Sequence, residues 1–187
     1  MQKEFVAEQS LILDSFRLGV KIFEDGFRPT FIVGVWRGGS TVGIYVQECL
    51  QTLGVQSNHI ALRTSYRGLP HYKSMLEAPD HEIRVHGTQY LLESLNADDQ
   101  LLLVDDVFSS GRNLAAVLNK LRRHLKRNFP REVRIATLYQ RPAFRKVDFS
   151  PDYSLHSTDK WLVLPYEMCG LTEEEIRQHK PFLVPYL

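Results

Sequence analysis

LLLVDDVFSSGRN, residues 101–113, decides the reading of this chain. Four consecutive apolar residues ending in two aspartates look like a strand buried on both faces, the pattern of a parallel sheet. Such a strand delivers Asp105 and Asp106 to its carboxyl end, the edge of an open α/β sheet where ligands bind. Ser109, Ser110 and Gly111 then turn the chain. NLAAVLNKLRRHL (113–125) predicts a helix with Leu114, Val117, Leu118, Leu121 and Leu125 as its apolar stripe. The first amides of a helix are unpaired and its dipole favours anions, so this turn suits a phosphate without a lysine. Gly111 permits backbone dihedrals that a side chain would forbid. Two carboxylates beside such a cradle can accept hydrogen bonds from both hydroxyls of a ribose, so one constellation reads a ribose 5-phosphate by both ends. The plain alternative is an aspartate pair that only caps the turn.

Outward from this stretch, strands and helices alternate. Residues 4–24 carry Phe5, Leu11, Ile12, Phe16, Val20 and Phe23 at helical spacing, and Gly26 and Pro29 stop that helix. FIVGVW (31–36) predicts a strand, TVGIYVQECLQTLG (41–54) a helix ending at Gly54, and HIALRT (59–64) a strand. The polar stretch Ser65–Thr88, with Pro70 and Pro79, reads as a loop long enough to suggest functional use. VRIATLY (133–139) and WLVLPY (161–166) read as further strands, and LTEEEIRQ (171–178) opens with a capping box of Thr172 and Glu175. The pattern is α/β, with a mainly parallel central sheet flanked by helices.

The chain has 187 residues, of which 43% are hydrophobic and 24% charged, with a formal net charge of +1. That fits a single domain with an ample core and argues against a protein that coats nucleic acid. Cys49 and Cys169 make no disulfide framework. No apolar run is long enough to span a membrane, and the start has no signal-peptide pattern, so a cytoplasmic protein is expected. GVWRGGST (34–41) is one residue from a P-loop. Ser40 stands where that loop needs its lysine, which sets an NTPase aside.

LLLVDDVFSSGRN resembles the phosphoribosyl-pyrophosphate (PRPP) signature of type I phosphoribosyltransferases, and VWRGG (35–39) resembles their pyrophosphate loop. The resemblance runs from about residue 11 to residue 170 and is closest to the 6-oxopurine branch, the hypoxanthine and xanthine-guanine enzymes. It implies that fold with a small hood: one domain over 1–187, a core of about 11–140 and a base-binding hood of about 141–187. It implies PRPP or phosphate contacts from Arg37, Gly38, Gly39, Asp105, Asp106, Ser109, Ser110, Gly111, Arg112 and Asn113, with Asp105, Asp106 and Arg37 serving catalysis. LRTSYRG (62–68) matches the branch's mobile loop, whose Ser-Tyr pair is here Ser65 and Tyr66. TLYQRPAF (137–144) places Arg141 where the family has a lysine on the purine 6-oxo group. DKWLVLPYE (159–167) matches the base-pocket segment, with Trp161 stacking on the purine, Leu162 beside it, and Glu167 a magnesium-linked carboxylate together with Asp105 and Asp106. The implied cofactor is Mg2+, and the implied partners are PRPP, a purine base and copies of the same chain in a homodimer or homotetramer. A membrane and a nucleic acid are not expected partners.

Two departures stand out. Purine-specific members have an aspartate at Ser109, placed to handle the proton on N7, and a serine has no useful basicity. Asn113 replaces the usual threonine. The basic run RRHLKRNFPR (122–131) fits the solvated end of a helix. It also keeps open a PRPP-binding regulator of nucleic acid, since such members similarly carry a Gly-Arg pair, here Gly111 and Arg112. A transferase for another nitrogenous base is the remaining alternative.

Overall fold

The computed structural model describes residues 2–66 and 83–187, with the backbone alone at Tyr66. β1 (Lys3–Phe5) leads into α1 (Glu8–Glu24), β2 (Phe31–Trp36), α2 (Gly38–Thr52), β3 (Asn58–Tyr66) and β4 (Ile83–His86). Then come α3 (Gln89–Ser94), β5 (Gln100–Phe108), α4 (Arg112–Leu125), β6 (Glu132–Gln140), β7 (Tyr153–Ser157), β8 (Trp161–Val163) and α5 (Glu173–His179). Six strands form a sheet in the order β4-β3-β2-β5-β6-β7, parallel throughout except for β4.

Alternate residues of the central strands feed two separate cores. Ile32, Leu102, Val104, Ala136 and Leu138 face α1 and α2, whereas Val33, Val35, Leu101, Leu103 and Ile135 face α3 and α4. Continuous apolar runs such as LLLV follow from this two-sided burial. All five stripe residues of α4 are buried, as its spacing predicts. Each such side chain contributes roughly 1.5–3 kcal/mol.

α1 departs from its predicted phase. Its buried residues are Leu11, Asp14, Ser15, Leu18, Gly19 and Ile22, while Phe16 and Val20 are exposed. The reason is close helix packing: a Cβ on Gly19 would lie 2.8 Å from Cys49 Cβ on α2. The polar members of the buried face are satisfied, Ser15 by Leu11 O and Asp14 by His156. Phe5 is not in that helix but in β1, which pairs in parallel with β8 as Lys3 with Trp161 and Phe5 with Val163. β8 therefore stops at Val163, short of the strand expected over 161–166, and lies in this two-stranded hood outside the main sheet. β7 continues the central sheet past residue 140, and β4 and α3 are short elements without a strong periodic signal. Residues 67–82, including Arg67, Gly68 and most of the expected loop, lie outside the described residues. Among the described residues, no helix is long and apolar enough to cross a membrane.

β2 connects through α2 to β3 on one side, and β5 connects through α4 to β6 on the other. The strand order reverses between β2 and β5, and the crevice at their carboxyl ends is where such sheets bind ligands.

Candidate active site

The turn after β2 is shaped by absent side chains. The Trp36–Arg37 peptide is cis, and Gly38 and Gly39 open α2. A Cβ on Gly38 would collide with Asp106 Oδ2 and the Tyr166 hydroxyl; one on Gly39 would collide with Val104 O. Glycines here bring the amino end of α2 directly against the Asp106 carboxylate, the end of a helix that favours negative charge.

β5 extends to Phe108, so both aspartates lie within the strand. Its pairing with β2 ends at Gly34–Val104, and the aspartates follow beyond it. Asp105 Oδ1 accepts from Asp106 N at 3.1 Å, and Asp106 Oδ1 accepts from Val107 N at 2.7 Å. Tyr166 donates its hydroxyl to Asp106 Oδ2. Burial, and then the neighbouring Asp106 charge, push the Asp105 carboxyl well above the usual range. Burial and Asp106 likewise raise the Tyr166 phenol far above its ordinary value, so it is a hydrogen-bond donor at any working pH. Glu167 is raised mainly by burial, and Arg37, 3.9 Å away, opposes that shift.

The turn after β5 offers donors. Gly111 has a φ of +75°, and a Cβ there would meet Val147 Cγ2 at 2.5 Å. Gly111, the N-cap of α4, has no side chain with which to cap it. Arg112 N donates to Ser110 Oγ at 3.3 Å, while Ser110 O accepts from Lys146 N at 3.0 Å, which pins the turn from outside. Asn113 Oδ1 is buried with no partner among the described residues.

On the hood side, Arg141 is 5% exposed. Its Nη1 donates to Ser109 Oγ at 3.4 Å and its Nη2 to Asp159 O at 3.2 Å. Its guanidinium lies 3.9 Å from the Phe144 ring centre and 5.7 Å from that of Trp161. The structure thus brings Ser109, Arg141 and Trp161 together. Leu162, next to Trp161, is buried in the core cluster that includes residues of α1 and α2. Ser65 Oγ lies 2.8 Å from His86 Nε2 on β4. The Tyr66 side chain lies outside the described residues.

Magnesium, implied by the sequence resemblance, can be judged by this donor set. Among the described residues no three His, Cys, Asp or Glu side chains converge into a metal cage. Two adjacent carboxylates that disfavour each other's charge still suit a magnesium ion that takes most of its oxygens from a phosphorylated ligand and water.

Sequence reasoning missed Tyr166 and Lys180. Tyr166 lies within the matched stretch DKWLVLPYE, next to Glu167, which is the signal that could have found it; Lys180, far from every motif, gives no signal.

The profile of the phosphoribosyl transferase domain matches residues 1–168. No curated protein matches the chain. Among solved structures, a purine phosphoribosyltransferase from Pyrococcus horikoshii Ot3 is similar over 92% of this chain and 99% of its own, at 22% identity and a TM-score of 0.68. A Neisseria gonorrhoeae protein with bound ppGpp is similar over 97% of both chains, at 18% identity and a TM-score of 0.71. A Helicobacter pylori xanthine-guanine-hypoxanthine phosphoribosyltransferase is similar over 89% of this chain and 95% of its own, at 17% identity and a TM-score of 0.63. At such identities the likeness establishes a shared fold. The family profile takes in the glycines after β2, the aspartates of β5 and the turn that carries Tyr166 and Glu167, and by that match the chain belongs to the phosphoribosyl transferase domain family and is a phosphoribosyltransferase.

Proposed function

We propose that this chain transfers the 5-phosphoribosyl group from PRPP to a 6-oxopurine (hypoxanthine, guanine or xanthine), releasing pyrophosphate, as a step of purine salvage. The observation that carries the reading is the meeting of two aspartates, the glycine-opened end of α2 and the uncapped end of α4 at one crevice. The amides of 109–113 hold the 5-phosphate, Asp105 and Asp106 accept from the ribose hydroxyls, and the turn at Arg37, Gly38 and Gly39 takes the leaving pyrophosphate. Asp105 and Asp106, with Glu167 beside them, would hold a magnesium ion, which would supply charge neutralisation for the departing pyrophosphate. The bond from the anomeric carbon to the pyrophosphate oxygen breaks, a bond to a ring nitrogen forms, and the base loses a proton. Donors fixed in advance around the leaving oxygens are the largest help such a step receives.

The base reading rests on Arg141, Trp161 and Phe144. A planar ring stacked on Trp161, with an exocyclic oxygen at the guanidinium, suits an oxopurine and leaves an aminopurine with donor facing donor. Two of the similar structures are purine enzymes, which agrees with this reading. The similar protein with bound ppGpp supports a second arm, in which a guanosine polyphosphate occupies the base and phosphate positions together. We place the enzyme in the cytoplasm as a homodimer or homotetramer, with residues from about 141 as its base-binding part.

A panel of hypoxanthine, guanine, xanthine, adenine and uracil with PRPP and magnesium, scored for pyrophosphate and nucleotide, tests the proposal. Oxopurine-dependent pyrophosphate release is expected, with ppGpp competing against PRPP. Adenine as the best acceptor removes the role given to Arg141. No turnover, together with salt-sensitive nucleic-acid binding, replaces the enzyme with a regulator.

A further inference from the structure

The turn that carries Tyr166 and Glu167 belongs to neither strand nor helix. It closes on itself through Glu167 N to Leu164 O at 3.0 Å and Leu164 N to Glu167 Oε2 at 3.2 Å. Its position against Asp106 must therefore be fixed from outside. One outside contact beside the core packing of Leu164 is Lys180, only 4% exposed, whose ammonium donates to Leu164 O at 3.0 Å and Pro165 O at 2.6 Å. These are the two carbonyls immediately before Tyr166. Lysines are almost never fully buried without a partner, and this one finds its partners in the backbone of the turn.

Lys180 is itself held. Its amide donates to Ile176 O at 2.8 Å at the end of α5. α5 is tied to β1 by Lys3 Nζ with Glu175 Oε1 at 2.6 Å and by the stacking of Phe5 on His179, ring centres 3.7 Å apart. At the other end of the chain of contacts, Asp106 has one oxygen on the Val107 amide and the other on the Tyr166 hydroxyl. A carboxylate gripped at both oxygens cannot rotate, and its remaining lone pairs keep one direction.

We infer that Tyr166 is a positioning residue that orients the Asp106 carboxylate for PRPP, and that Lys180 acts through Tyr166 by holding its turn. The inference rests on the proposed function, in which Asp106 meets the ribose hydroxyls. It gives the segment beyond residue 168, outside the span of the family profile, a part in the reaction.

The experiment compares wild type, Y166F, K180M, K180R and the double variant Y166F/K180M. Calorimetry gives the PRPP dissociation constant with magnesium, steady-state kinetics the KM of each substrate, and thermal unfolding the Tm. Y166F keeps the ring and removes one donor to a carboxylate, so PRPP binding should weaken about ten-fold while the KM of the base stays within about two-fold. K180M should do the same, K180R should restore part of the loss, and the double variant should be no weaker than the weaker single. A purely structural lysine would lower Tm and leave the PRPP-to-base ratio unmoved, and that result overturns the inference. So do losses that multiply in the double variant. Should K180M fail to fold, Y166F decides alone, and unchanged PRPP affinity there ends the proposal. Wild type that binds no PRPP overturns the proposed function and this inference with it, whereas wild-type binding without an effect of Y166F overturns the inference only.

Discussion

Arg141 Nη1 donates to Ser109 Oγ at 3.4 Å, tying the end of β6 to the turn after β5 across 32 positions of sequence. Arg141 and Ser109, two positions at which the sequence differs from the pattern it resembles, are therefore neighbours in contact.

Ser109→Asp places a carboxylate beside that guanidinium, where it can take the proton leaving the base. Hypoxanthine turnover should rise by about 10²-fold, the lower end of general-base help. Xanthine, the more acidic base, should gain less. The added charge also faces the phosphate cradle, so the PRPP dissociation constant should rise in the same variant. Single-turnover rates at saturating PRPP separate the two effects, and equal gains for both bases would refute a proton-transfer role at position 109.

Asp105 should make the ligand-free protein more stable when its charge is removed. Burial and Asp106 raise its pKa above the ordinary 3.8. Between that value and the raised one, the native state keeps a proton that the unfolded chain has released, so stability falls as pH rises through this window. Above the window the cost of the buried charge stays constant. Asp105→Asn should therefore unfold at a higher temperature than wild type at neutral pH, with the gap closing toward pH 4. A constant gap across the pH series counts against this account. PRPP binding should weaken in the same variant.

Gly38 and Gly39 should fail differently. A Cβ on Gly38 meets the ends of two side chains, Asp106 and Tyr166, and fits only if their mutual hydrogen bond gives way; one on Gly39 meets the Val104 carbonyl and the Asp105 Cα of the central strand. Gly38→Ala should fold and lose PRPP affinity. Gly39→Ala should lose stability, by about 1–3 kcal/mol for an overpacked site. Thermal unfolding beside calorimetry distinguishes them.

Asn113→Leu, of similar shape and without a polar atom, should stabilise the ligand-free protein. Asn113 Oδ1 is a buried acceptor with no partner among the described residues, and removing such an orphan is worth about 1–3 kcal/mol. Denaturant midpoints measure it, and a destabilised variant would show that the amide is satisfied by solvent.

What the sequence discloses follows from which forces are local. The α4 stripe and the LLLV run carry their own periodicity, so helix, strand and the β5 turn are legible in the residues themselves. α1 is legible as a helix but not in its phase, because its inward face holds Asp14, Ser15 and Gly19, whose reasons for burial are His156, a backbone carbonyl and Cys49 on other elements. Phe5 reads as part of that helix because its true partner, Val163 in β8, lies at the far end of the chain. Within the site, Arg37, the glycines and the aspartates follow a local pattern. The grip of Tyr166 on Asp106, 60 positions away, has no local trace.

The pairing of β1 with β8 orders events in time. During synthesis the turns after β2 and β5 are complete while the first strand still has no neighbour; Lys3 waits for Glu175, 172 residues later. Closing so long a loop is slow relative to local helix formation. A ribosome-bound chain should thus pass through a stage with a formed sheet and an open hood, its Trp161 pocket assembled last. Agents that trap that stage, chaperones or proteases among them, would meet a protein whose proposed phosphate turns are formed while its proposed base pocket is not.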